Sequence, residues 1–346
     1  MYVRVMSSRW VMVLALCMSG LGHAAGSAEY EVVGLPGAEG HAYWAADGKS
    51  LWIADESDPE VLLHFSAVGE LRGKIRIKGA HLPSALCLGS RSVSPDGTTI
   101  VLQHTPIDDL LNATKSILSF VNVKLGTYLP GTPPMAVVGS AEWMADGRLL
   151  AKLSNGPVAL IDMKTGETHA ICGQVPGIER VRPTLDGKGV VLFTDHQVFV
   201  TKPDCTSLTE LPTPRNLDGS APHAVLDSPT RKNWLATMTV DRGAKMARLM
   251  GPNQREIAEL NGFHPSDIGW WTDEVFVWMS GSMLWYGSVA KPTMPLPLIP
   301  SPDHWSKKGE PTKSGDSYQS FSPTGGAMVF ERHNGNSYAV FLVRRR

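Results

Sequence analysis

Apolar residues in this chain come in short runs that return at a regular interval. From residue 44 onward one order of positions repeats: an aromatic or apolar residue, two or three small or polar ones, Asp-Gly or a degenerate form of it, then an apolar run. The clearest copies are Trp44-Ala45-Ala46-Asp47-Gly48, Val93-Ser94-Pro95-Asp96-Gly97, Trp143-Met144-Ala145-Asp146-Gly147 and Phe321-Ser322-Pro323-Thr324-Gly325. Weaker copies are Pro183-Thr184-Leu185-Asp186-Gly187, Leu226-Asp227-Ser228-Pro229-Thr230 and Trp270-Trp271-Thr272-Asp273-Glu274. Asp-Gly between strand-like runs predicts a hairpin, because glycine takes the positive φ of a tight turn without a Cβ clash. The runs that follow, at 51–53, 100–102, 149–153, 190–193, 234–238, 275–278 and 328–330, are apolar almost throughout. That is the pattern of strands covered on both faces. Third strands are expected at 61–65, 117–121, 158–161, 198–200, 247–250, 283–286 and 338–342.

The leading residues stand 40 to 51 residues apart, the spacing of propeller blades with four short strands each. The expected fold is therefore all-β, a seven-bladed β-propeller of four-stranded antiparallel blades. The seventh copy runs out of chain after its third strand, at Val343, while Tyr30-Glu31-Val32-Val33-Gly34-Leu35 is a strand without a blade. The N-terminal strand is expected to complete the last blade, which removes two sheet edges at once. Length alone would suggest two domains; the repeat instead predicts one domain over 29–346. Val93-Ser94-Pro95-Asp96-Gly97 with 100–102, and Phe321-Ser322-Pro323 with 328–330, resemble the repeat of TolB-type propellers. The resemblance covers nearly all of 29–346, implies the fold and leaves function open, since scaffolds, peptidase gating domains and an oligogalacturonate lyase share it. TolB's N-terminal α/β domain has no counterpart here.

Ahead of the repeats, Arg4 and Arg9 precede an apolar run over 10–17, followed by small residues around Gly22, Ala24 and Ala28. This reads as a secretory signal peptide over 1–28, and places the mature chain in the periplasm or outside the cell. Leu16 before Cys17 departs from a lipobox, and no stretch is long and apolar enough to be a transmembrane segment. Of 32 basic and 33 acidic residues, the signal removes two and none, which leaves a charge of −3 and no sign of nucleic-acid binding. Cys87, Cys172 and Cys205 remain. Either Cys172 pairs with Cys205 across neighbouring blades or all three are buried thiols.

The loops between second and third strands and between blades share one face, termed the top. Two long loops fall there, at 103–115 and 301–316, together with most histidines, His104 and His304 among them. Counting three residues back from each leading residue gives His41, Ser90, Ser140, Arg180, His223, Asp267 and Tyr318. One step back gives Tyr43, Ser92, Glu142, Arg182, Val225, Gly269 and Ser320, on the same side of each strand. His41, Arg180, Arg182, His223, Asp267 and Tyr318, with His104 and His304, are thus the candidate ligand-binding residues at the channel mouth. Polar residues there also suit a water-filled channel. His41, His223 and Asp267 have the donor types for a divalent transition metal, although no short spacing ties them together. Trp44, Trp143 and Trp270, at the leading position, are expected to pack between blades.

Catalytic signatures are missing or broken. Gly315-Asp316-Ser317-Tyr318-Gln319 has Gln319 where a nucleophile elbow needs glycine, and neither a haem-attachment nor a phosphate-loop motif occurs. The leading expectation is an exported, monomeric propeller that holds a protein or small-molecule partner on its top face. One alternative is a metal-assisted lyase or lactonase-type enzyme for an acidic carbohydrate or lactone, with His41, His223 and Asp267 as ligands or acid/base groups and Arg180 or Arg182 neutralising a carboxylate. Another is a subunit of a cell-envelope complex.

Overall fold

The computed structural model describes residues 30–79, 91–104, 116–129, 135–154, 156–216, 218–222, 224–239, 245–251, 256–261, 268–280, 283–299, 316–334 and 337–345. The proposed signal peptide, Cys87 and most of the two long loops lie outside them. Among the described residues every regular element is a strand, and no helix is long and apolar enough to cross a membrane.

Each repeat folds on its own neighbours in sequence. The fourth is typical: Ile178–Pro183, Val190–Thr194, Val198–Thr201 and Thr209–Leu211 form an antiparallel sheet in that order. The first, fifth and sixth repeats do the same, from Ala38–Trp44 to Leu71–Arg76, Ala224–Asp227 to Glu256–Asn261 and Ile268–Trp270 to Lys291–Ile299. In the seventh, Asp316–Phe321, Ala327–Asn334 and Ser337–Arg345 are joined by Tyr30–Leu35, which pairs with the last strand from Tyr30 opposite Arg345 to Leu35 opposite Val340. An ion pair of 2.6 Å between Arg344 Nη2 and Glu31 Oε2 ties these two ends of the chain.

The second repeat departs from the expected pattern. Its inner strand is reduced, among the described residues, to one bridge between Val93 and Ile100. Its third strand, Ser116–Asn122, pairs at its upper end with Met135–Trp143 of the third repeat, so the two repeats share a seven-stranded sheet. The indole N–H of Trp143, at the leading position of that junction, is buried without a hydrogen-bond acceptor. Its counterparts are satisfied: Trp44 Nε1 donates to Ser320 O at 3.2 Å and Trp270 Nε1 to Leu226 O at 2.8 Å.

The apolar core lies between repeats, and the alternation of strand side chains explains how. Leu51 and Ile53 pack with Val329, Val340 and Leu342 of the seventh repeat, whereas Trp52 and Ala54 pack with Val93, Ile100 and Leu102 of the second. Val190 and Leu192 face the third repeat; Val191 and Phe193 face the fifth. Phe276 and Trp278 face the fifth repeat, and Val277 the seventh. A central strand is apolar at successive positions because each of its faces closes a different layer.

Cys172 and Cys205 are joined by a disulfide, with Cα atoms 5.2 Å apart, that links the third and fourth repeats. Both residues have positive φ, 58° and 56°, and both belong to the apolar layer between the two repeats. The bridge closes a loop of 33 residues, for which chain entropy gives about 3–4 kcal/mol. Replacing both cysteines with alanine is expected to lower the unfolding free energy by about that amount, read from urea titrations without reductant. Reductant should weaken the parent protein and leave the variant unchanged.

Candidate functional site

The turn chemistry fixes the register of the inner strands and therefore decides which residue stands three before each leading position. In the second repeat, Gly97 N–H donates to Ser94 O and Ser94 N–H to Thr99 O. Ser94 Oγ accepts from Thr99 N–H at 2.9 Å and donates to Asp96 Oδ1 at 2.6 Å. The fourth repeat does the same with Thr184, Asp186 and Gly189. Aspartate occurs here because its carboxylate accepts from the N–H two residues on, and glycine because φ is near +70°. Burial works against ionisation of Asp96, Asp146 and Asp186, yet hydrogen bonds from Ser94, Arg148 and Thr184 respectively hold all three below the usual carboxylate value.

The fifth repeat corrects the expected register by one residue. Arg231 N–H donates to Ser228 O and Ser228 N–H to Asn233 O, with Arg231 in the glycine place at φ 61°. Asp227, not Leu226, therefore holds the leading position. Three residues back is Ala224 rather than His223, and one back is Leu226 rather than Val225. Val225, fully buried between repeats four and five, fits this register. The Ser-Pro pair carried the signal: Ser228-Pro229 aligns with Ser94-Pro95 and Ser322-Pro323.

Among the predicted residues, Arg180 and Arg182 have described side chains, both on Ile178–Pro183. Arg180 Nη2 donates to Pro222 O at 3.1 Å, and its guanidinium lies 4.8 Å over the Phe193 ring. Burial lowers its pKa, opposed by Glu179. Arg182 donates from Nε to Pro183 O at 3.4 Å and from Nη1 to Val225 O at 3.5 Å. Both cations thus span from the fourth to the fifth repeat. His41, His104 and Tyr318 lie on the strands Ala38–Trp44, Thr99–His104 and Asp316–Phe321. Their side chains, and His223, Asp267 and His304 entirely, lie outside the described residues. Among the described residues no three His, Cys, Asp or Glu side chains are grouped to hold a metal.

A feature that sequence reasoning missed coincides with these positions. The pairing of the inner strand with its neighbour is broken by a bulge between Glu39 and Tyr43, opposite the step from Leu150 to Lys152 (that is, between Val138 and Glu142), between Ile178 and Arg180, and between Ser317 and Gln319. His41, Ser140, Arg180 and Tyr318 fall in or at the end of these bulges. Bulges re-aim side chains and concentrate beside functional sites.

At the other end of the inner strands, charge is buried. Arg91, 4% exposed, donates from Nε to Trp143 O at 3.2 Å and from Nη2 to Asp186 O at 3.1 Å. A Cβ on Gly187 would strike that guanidinium. Asp227, 2% exposed, accepts from Leu185 N–H at 2.8 Å through Oδ2, while Oδ1 has no partner. Aspartate stands here where four of the other six repeats place an aromatic residue, Trp44, Trp143, Trp270 or Phe321.

No protein-family model matches this chain, and no curated protein matches it in sequence. Solved structures do match in shape. The propeller domain of Cps50 (Swd1) from Myceliophteria thermophila superposes with a TM-score of 0.51 at 10% identity, over 91% of this chain and 98% of that one. An oligogalacturonate lyase in complex with manganese gives 0.52 at 13% identity, over 91% of both chains. The fold is a β-propeller. Its repeats are blades, its leading residues lie at one end of the inner strands, and the bulged residues lie toward the other.

Burial raises the Asp227 pKa, with Arg182 and the Leu185 N–H pulling the other way. A raised folded value means that the folded state holds its proton longer than the unfolded chain does. Stability from this group is full below the ordinary carboxylate pKa and is lost as pH rises through the folded one. Asp227→Asn should match the parent near pH 4 and exceed it by about 1–3 kcal/mol at alkaline pH, the scale for a buried acceptor without a partner. Urea titrations across pH test this; a gap that does not widen with pH excludes it.

Proposed function

We propose that the protein is an exported seven-bladed propeller, closed by its N-terminal strand, that binds a partner bearing an acidic group at the channel mouth on its top face. Seven apolar layers among the described residues, one of them between the first and seventh repeats, support the blade number and the closure. Export is supported by the N-terminal charge and apolar pattern, and by a disulfide of the kind that persists in oxidising compartments.

The observation that carries the binding reading is the repeated bulge at His41, Ser140, Arg180 and Tyr318. Four inner strands break their ladder around the position three before the leading residue, and bulges re-aim side chains beside functional sites. Arg180 shows what such a position supplies: a half-buried guanidinium already held by Phe193 and Pro222 O, so that a carboxylate meets a cation with little freedom left to lose. The top-face loops at 103–115 and 301–316 would complete the contact.

The similarity to a lyase solved with manganese makes metal dependence the other outcome to test. The His41→Ala, His223→Ala double variant and Arg180→Gln are each expected to keep the parent melting temperature within a few degrees. Each should recover at least about tenfold less partner than the parent in pull-downs from the native compartment. Arg148→Gln, at the opposite end of its blade, should recover the parent amount. A stoichiometric metal in the parent that is missing from the double variant would move the function to the metal-assisted enzyme. Loss of folding in the double variant would make those histidines structural.

A further inference from the structure

The outer edges of the blades are not alike. Lys291–Ile299 carries Pro292, Pro295 and Pro297, while Thr168–Ile171 and Thr209–Leu211 are four and three residues long. Proline and short length are two means by which an exposed edge avoids another strand. The first blade ends instead in six residues without proline, Leu71–Arg76, at the rim of its sheet. Arg72, Lys74, Arg76 and Lys78 alternate here with Leu71, Gly73, Ile75 and Ile77, and no acid interrupts them. Cations also guard an edge, but selectively: they repel a basic strand and favour an acidic one.

Backbone and side chains both leave this edge open. Ile77 N–H donates to Glu60 O, and the register runs on through Ile75 opposite Leu62 and Gly73 opposite His64. Alternation then turns the backbone N–H and C=O of Lys74 away from the sheet. A bulge sets Leu71 and Arg72 together opposite Phe65. Leu71 is 54% exposed, and Val68 in the preceding turn 40%. Arg76 is taken by Asp58 and Glu60, and a Cβ on Gly126 of the second blade would strike its carbonyl. Arg72 and Lys74 are exposed and make no ion pair among the described residues; their charges reach His64 and Asp55 without a bond.

We propose that this edge is a second interaction surface, which takes an acidic peptide segment in extended form as an added strand. The segment's backbone pairs at Lys74, its acidic side chains lie beside Arg72 and Lys74, and an apolar residue covers Leu71. The surface is independent of the channel-mouth reading, because the two share no residue. Titration of the purified protein into a fluorescently labelled peptide of alternating glutamate and valine, followed by anisotropy, tests it. That peptide is expected to bind. A lysine-valine peptide, of the wrong sign, and a glutamate-proline peptide, acidic but unable to join a ladder, should each bind at least about tenfold more weakly. R72E and K74E together should keep the parent melting temperature, weaken the glutamate-valine peptide about tenfold or more, and strengthen the lysine-valine one. Arg180→Gln should leave both unchanged. No binding up to about 1 mM peptide, or indifference to R72E with K74E, would overturn the proposal. So would equal binding of the glutamate-proline peptide, which would make the edge a surface for any polyanion.

Discussion

The apolar layer between adjacent blades is the constraint from which the rest of this structure follows. A four-stranded sheet is too small to bury both of its faces alone, so each blade depends on the next. Successive side chains of a strand point in opposite directions, and the central strands answer by being apolar at nearly every position. Leu51 and Ile53 serve one layer while Trp52 and Ala54 serve another. The same division at 190–193, with Val190 and Leu192 on one side and Val191 and Phe193 on the other, shows that it is a rule of the fold.

Because those layers hold the inner strands at fixed spacing, the turns below them become a second line of contact. Ala145 N–H donates to Gly187 O, Leu185 N–H to Asp227 Oδ2, Thr230 Oγ1 to Asp273 Oδ2 and Gly326 N–H to Trp271 O, each from one blade to the next. Glycine at 325 is dictated by this approach as well as by its φ of +74°, since a Cβ there would stand 2.9 Å from Trp271 O. Asp227 is the exception that spends stability: it takes an aromatic residue's place with a buried carboxylate whose Oδ1 lacks a partner. Neighbouring Arg91 and Arg182 offset part of that cost by charge.

Much of this was legible in the sequence, and the reason is local. Strand runs, Asp-Gly turns and leading tryptophans are each set by a handful of adjacent residues, so periodicity reported them directly. The fifth repeat was misread by one residue because Leu226 is the better apolar match, whereas the bonds that define the turn run through Ser228 and Arg231. The second repeat's irregular pairing was not legible, since the contact of Ser116–Asn122 with Met135–Trp143 depends on geometry between repeats. The choice between a Cys172–Cys205 bridge and free thiols also waited on three dimensions, because 33 residues of separation say nothing about a Cα distance of 5.2 Å.

The candidate site was legible only as a set of residue types. Counting back from the leading residue assumes an unbroken strand, and the inner strands are broken where the count ends. A bulge inserts residues without a signature in composition, so the alternation that predicts His41 with Tyr43, or Tyr318 with Ser320, on one side cannot be carried through it, whereas the ladder is intact from Arg180 to Pro183 and keeps Arg180 and Arg182 on one side. The blade framework needs regular pairing at the lower end, where turns lock to turns. It leaves the upper end free to depart from regularity, because the layers beneath already hold each strand. Two propellers as different as a Swd1 domain and a manganese-bound lyase superpose on this chain equally well. The shared fold does not itself set the function, and the binding proposal therefore rests on the departures at His41, Ser140, Arg180 and Tyr318, which stand at one distance from the leading residues.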